Sequence, residues 1–205
     1  MKAWVQYAIL TIGFLLGIAL MGVQMVASRL LTPYFGSGIE IWACLIATVM
    51  ASLMAGYYIG GMIADRYPRS DVLGAAVLAG GLFLSIVPPI ATPMLDWVLE
   101  NVGYDVNAAL LASILIMLVP MTLLSFFSPY AVRLLLADPH RGGRVAGMVY
   151  SITTVGNIVG TLGTALFVMR FIGSRQIMFG YAGLIVLCGA ALILLHSRAR
   201  VGVDD

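Results

Sequence analysis

The chain has 205 residues, of which 61% are hydrophobic and only 10% charged, with a net charge of +2 and a mean hydropathy of +1.04. A soluble domain carries about 25% charged residues, so this composition excludes a water-soluble globule and makes lipid the solvent. The small net charge and the lack of any Lys/Arg run exclude a nucleic-acid binder.

A membrane-crossing helix needs about 20 predominantly apolar residues, and six stretches qualify. The first, 5–28, follows Lys2 and resembles a signal peptide at its start. Its apolar run reaches Val26, beyond the roughly 7–15 residues of a signal core, and leads directly into Ser28-Arg29-Leu30-Leu31-Thr32-Pro33. It is therefore expected to be a retained helix, ended by Pro33 and Gly36. The second span, 40–62, is closed by Asp65, Arg66 and Pro68, and the third, 72–91, by Pro88-Pro89. Met94 to Val102 then places apolar residues at helical spacing beside acids, which suits either a short interfacial helix or a loop. The fourth span, 108–132, is separated from the fifth, 145–169, by the polar run Asp138 to Gly143. Gly173 with Arg175 separates the fifth from the sixth, 174–195. The expected fold is an all-α membrane protein: a six-helix transmembrane domain over 1–197 and a short cytoplasmic tail over 198–205.

Lys and Arg sort the loops. With the N-terminus inside, eight cations (Lys2, Arg66, Arg69, Arg133, Arg141, Arg144, Arg198, Arg200) fall on the cytoplasmic side and three (Arg29, Arg170, Arg175) outside. Both termini are thus expected in the cytoplasm. Trp4, Trp42 and Trp97 all fall near expected helix ends, as interfacial aromatics do.

Glycines recur at helical spacing. Gly56 and Gly60 near the end of the second span are echoed about a hundred residues later by Gly156 and Gly160 in the fifth. Such pairs let helix backbones approach closely in lipid. A shift of three helices reverses membrane orientation, so the echo would make the bundle an inverted 3+3 repeat. Chance recurrence of small residues is the alternative. Cys44 and Cys188 lie inside apolar runs without metal spacing and read as packing residues.

Polar groups within the apolar spans are the site candidates. Arg29 and Glu40 stand at the outer end of the first two spans, as a structural ion pair or as a gate. Asp65 and Arg66 can cap a helix or pair with a cation such as Arg133, Arg141 or Arg144. Ser125, Ser128 and Tyr130 accompany Pro120 and Pro129 in the fourth span, where hydroxyls can satisfy freed carbonyls. Thr154, Asn157, Thr161 and Thr164 share one helical face of the fifth, either as interhelical hydrogen-bond glue or as the lining of a small polar cavity. His140 and His196 fall in loop and tail positions. No span carries a mid-membrane carboxylate, which a proton-coupled or polyamine carrier usually needs. No cofactor or metal spacing is visible.

Gly61-Met62-Ile63-Ala64-Asp65-Arg66-Tyr67-Pro68-Arg69 resembles the signature loop of the major facilitator superfamily, at the same connection between the second and third spans. A wider set of blocks resembles the membrane domain of fused spermidine-synthase-like proteins. These are Ala27-Ser28-Arg29-Leu30-Leu31 with Pro33-Tyr34-Phe35-Gly36, Gly56-Tyr57-Tyr58 with Gly60-Gly61 and Ala64-Asp65-Arg66, Ser128-Pro129-Tyr130-Ala131-Val132-Arg133, and Gly147, Tyr150, Ser151, Thr154, Gly156, Gly160 and Thr161. The resemblance implies half of a major-facilitator-like bundle in a bacterial cytoplasmic membrane. In the fused relatives a soluble aminopropyltransferase-like domain of Rossmann type follows. These 205 residues contain neither its G-x-G-x-x-G loop nor its acidic pocket, so no catalysis carries over.

Three functions are compatible with this reading. The first is a non-catalytic membrane subunit that anchors or serves a separate soluble transferase-like partner through charged cytoplasmic loops. The second is a half-size transporter acting as a homodimer, with the polar face of the fifth span lining a cavity. The third is a structural subunit of a larger membrane complex.

Overall fold

The computed structural model describes residues 3–136 and 138–201. All regular structure among them is helical, and six helices are long and apolar enough to cross a membrane. They are α1 (Ala3–Phe35), α2 (Ile39–Arg66), α3 (Ser70–Asn101), α4 (Val106–Leu135), α5 (Gly142–Phe171) and α6 (Ser174–Val201). The chain is a multi-pass membrane protein by this architecture, and Trp4 near the start of α1 lines one groove with Leu194 and Leu195 near the end of α6, so these two helix ends lie together.

Every helix runs further than the apolar count suggests, and prolines end fewer of them than expected. α1 continues through Pro33 to Phe35 and stops at Gly36, whose φ of +80° an L side chain rarely adopts. α3 continues through Pro88, Pro89 and Pro93 to Asn101. The Met94 to Val102 segment is therefore neither a separate interfacial helix nor a loop. Leu95 and Val98 are fully buried, so packing against the bundle outweighs the backbone bonds the prolines remove. α4 tolerates Pro120 but breaks at Phe126, between Val106–Ser125 and Phe127–Leu135. Pro129 has no N–H to give the Ser125 carbonyl, and its ring crowds that oxygen. α5 is regular over Gly142–Gly163 and then widens into a π turn over Thr164–Val168 before Met169–Phe171.

The core follows from which helices are surrounded. The apolar stretches of α1 and α4 are 61% and 56% buried, whereas that of α5 is 17% buried. So α1 and α4 sit centrally and α5 covers one flank. The largest interfaces are α3 with α6, α1 with α5, and α2 with α4; α3 with α4 and α1 with α6 come next. Cys44 and Cys188 are buried and unbonded to each other, in keeping with packing roles.

Glycine sets the three main interfaces. A Cβ at Gly56 would lie 2.5 Å from Ser125 Cβ, and one at Gly60 would lie 2.8 Å from Phe126 Cα, so α2 rests on α4 backbone to backbone. On the other side, Cβ atoms at Gly156 and Gly160 would collide with the carbonyls of Phe14 and Ile18 in α1. Gly74 and Gly189 face each other across α3 and α6, where a Cβ at Gly74 would lie 2.8 Å from the Gly189 carbonyl oxygen. Lipid supplies no strong hydrophobic drive between helices, so dispersion at these close crossings holds the bundle together.

Candidate functional site

The four helices α1, α2, α4 and α5 enclose a small polar cavity next to these crossings. It has a volume of about 50 Å³, and Tyr57, Ser125, Ser128, Thr153 and Asn157 supply its polar lining. That is room for a few water molecules and too little for a solute. Its α1 and α4 walls are buried, whereas Leu53, Tyr57, Thr153 and Asn157 of α2 and α5 are partly exposed. The cavity therefore meets the surface between α2 and α5.

Local chemistry explains which polar groups are spent and which are free. Ser125 Oγ donates to the Met121 carbonyl at 2.6 Å, and Thr153 Oγ1 lies 3.0 Å from both the Val149 and Tyr150 carbonyls. These hydroxyls satisfy themselves on their own helices. The Asn157 amide makes no hydrogen bond among the described residues, and its Oδ1 lies beside Gly17, whose missing side chain makes the space. Tyr57 meets Tyr150 edge to face with ring centroids 6.5 Å apart, so one aromatic pair borders the opening between α2 and α5.

The four residues expected to share a face on α5 divide among different tasks. Asn157 enters the cavity. Thr154 is exposed on the bundle surface. Thr161 Oγ1 donates to the Asn157 carbonyl at 2.8 Å, within its own helix. Thr164 is buried in the π turn and hydrogen-bonds to Tyr181 of α6. The π turn adds a residue to the helical register, so a face counted at regular spacing extends to Thr164, whose N–H still bonds to the Gly160 carbonyl, and no further. Tyr57, present in the sequence only as part of the Gly56-Tyr57-Tyr58 block, and Tyr181 do not stand out as site residues because each sits in an apolar run where a packing role is the default. The signal for Tyr181 was Gly22, which leaves space for its ring.

The face that carries the termini holds an electrostatic cluster. Asp65 pairs with Arg133 at 3.2 Å, joining the ends of α2 and α4. Both side chains are well exposed, so the pair adds little stability. Arg66 lies over the Tyr67 ring, 5.6 Å from its centroid, and has no carboxylate partner among the described residues. Tyr130, fully buried, donates its hydroxyl to the Tyr67 carbonyl and so fixes the loop between α2 and α3. Arg69 donates to Asp71 through Nε at 3.0 Å, and this hydrogen bond with the carboxylate's charge raises the guanidinium above its ordinary pKa. His196 lies within α6, partly buried and 3.9 Å from Asp71, not in a tail. Residues 202–205 of the expected tail lie outside the described residues.

On the opposite face, Arg29 and Glu40 do not pair. Arg29 donates instead to the Met169 carbonyl at the end of α5. Glu40 sits exposed in the first turn of α2, where a carboxylate suits the positive helix end. Among the described residues no three His, Cys, Asp or Glu side chains converge as metal ligands would. None of the family models, curated proteins or solved structures compared with the chain matches it.

Proposed function

We propose that this chain is a non-catalytic, half-size membrane transporter that works as a homodimer. The observation that carries this reading is the polar cavity opening between α2 and α5. Asn157, whose amide has no hydrogen-bond partner among the described residues, is the polar group there that helix packing alone does not account for. The surface around the opening carries further polar groups, the exposed Tyr150 and Thr154. A second copy apposed there would enlarge the opening into a shared path and remove these groups from lipid.

The pattern of helix contacts supports an inverted repeat as the source of this design. Exchanging α1 with α4, α2 with α5 and α3 with α6 turns the α1–α5 interface into the α4–α2 interface and leaves α3–α6 in place. The same exchange turns α3–α4 into α6–α1. Gly56 and Gly60 against α4 then correspond to Gly156 and Gly160 against α1. The excess of cations on the termini face favours cytoplasmic N- and C-termini in a bacterial cytoplasmic membrane.

A second reading rests on the charged cluster at the termini face. Arg66, Arg141 and Arg144 are exposed there beside the Asp65–Arg133 pair, a surface on which a soluble transferase-like partner would dock in a salt-sensitive way. Purification from native membranes in gentle detergent, with the native mass measured, separates the two. A homodimer alone supports transport; a soluble partner lost at high salt supports anchoring. Recovery only within a larger membrane assembly would overturn both.

A further inference from the structure

On the face opposite the termini, the ends of α1 and α3 and the start of α6 frame a cavity of about 490 Å³. This volume falls in the ordinary range of small-molecule sites. Two guanidiniums, those of Arg29 and Arg175, line it together with the hydroxyl-bearing Thr32, Tyr34, Thr92 and Ser174. Both guanidiniums are held by a partner within the protein. Arg29 donates to the Met169 carbonyl, and Arg175 donates through Nη2 to Thr92 Oγ1 at 2.5 Å. Each guanidinium has five N–H donors, so most of the donors remain for a ligand.

Among the described residues no carboxylate lines this cavity. The acids on the same face, Glu40, Asp96, Glu100 and Asp105, are all exposed and stand outside it. Two fixed positive charges thus share one concavity without a counter-charge. Ser174 opens α6, whose unpaired first-turn N–H groups add to the positive potential. The floor, by contrast, is apolar, made by Leu30, Ala91 and Leu95.

We propose that this cavity binds a phosphate-bearing anion, its phosphate oxygens taken by Arg29 and Arg175 and its organic part resting on the apolar floor. Planar guanidiniums match phosphate oxygens in pairs, and two of them offer more donors than a single carboxylate can accept. The site is complete within one chain and shares no lining residue with the α2–α5 opening, which lies midway along its helices. It therefore stands independently of the dimer.

Phosphate of this kind is presented by a lipid headgroup or by a soluble organophosphate, and the test separates them. Purified full-length chain would be titrated with glycerol phosphate, with phosphatidylglycerol, and with uncharged diacylglycerol as the control, following thermal stabilisation and retention of the probe in native mass spectra. We expect a phosphate-bearing probe to bind and diacylglycerol not to stabilise the same site. Arg175→Gln, which gives up only a bond to a side-chain hydroxyl, should weaken binding about tenfold or more, and Arg175→Lys should restore part of it. Arg29→Gln should weaken it similarly if the variant elutes as the wild type does. Binding of glycerol phosphate assigns a soluble ligand, and binding of phosphatidylglycerol alone assigns a lipid. Binding of neither, or equal binding by wild type and Arg175→Gln, overturns the proposal.

Discussion

Gly156 of α5 lies directly on the carbonyl of Phe14 in α1, and Gly56 of α2 lies in the same manner on the carbonyl of Thr122 in α4. The two contacts hold the flanking helices α5 and α2 to the central pair. In both cases the neighbour is backbone, which cannot swing aside as a side chain can. Gly156→Ala and Gly56→Ala should each destabilise the protein by about 1–3 kcal/mol. Gly147→Ala and Gly163→Ala, where a Cβ meets open space, should be neutral or stabilising because alanine favours the helix. Unfolding midpoints in mixed detergent micelles would distinguish the two groups.

Tyr181 connects three helices. Its ring fills the space left by Gly22 in α1, and its hydroxyl bonds to Thr164 in the π turn of α5. Tyr181→Phe should cost about 1 kcal/mol, the ordinary net worth of one hydrogen bond. Gly22→Ala would push the ring away and break the same bond. The double variant should therefore be less destabilised than the sum of the two single changes, a coupling that a double-mutant cycle measures.

The termini face should divide in a similar way. Tyr130→Phe removes a bond from a fully buried side chain to the Tyr67 carbonyl and should lower stability by about 1 kcal/mol. Asp65→Asn breaks an ion pair between exposed side chains and should leave the unfolding midpoint at the wild-type value at moderate salt. A midpoint lowered as much by Asp65→Asn as by Tyr130→Phe would contradict this account of the face.

Much of the architecture is legible in the sequence, and the parts that are not have physical reasons. Six apolar runs of spanning length give six helices, and Asp65 does find a cation from the end of the fourth span, Arg133. The prolines mislead because a proline interrupts one or two backbone bonds, while burial of Leu95, Val98 and their neighbours acts along the whole α3 extension. The expected Arg29–Glu40 pair fails because a guanidinium can satisfy itself on a carbonyl at a helix end, and no spacing rule identifies which carbonyl is near. The α5 face divides for a different reason: Thr154 lies at its outer edge and is exposed, whereas Asn157 and Thr164 turn inward.

Asn157 is the cavity residue whose replacement tests function with the least structural change. Asn157→Leu places an apolar side chain of similar size among Leu16, Leu20 and Leu53, which also line the space. Stability should stay within about 1.5 kcal/mol of wild type, while any solute flux in proteoliposomes should be lost. Flux at the wild-type rate from the folded variant would remove this cavity from the path.

The central claim is that a second copy covers the α2–α5 face. Met54→Cys and Thr154→Cys place thiols on that face, each at an exposed residue one turn before Tyr57 or Asn157, in a background where buried Cys44 and Cys188 are replaced by alanine. Leu187→Cys on exposed α6 serves as the control. Cross-linking in native membranes should give a covalent dimer from Met54→Cys and Thr154→Cys and only monomer from Leu187→Cys. Monomer from all three, or a dimer formed as readily through Leu187→Cys, would contradict it.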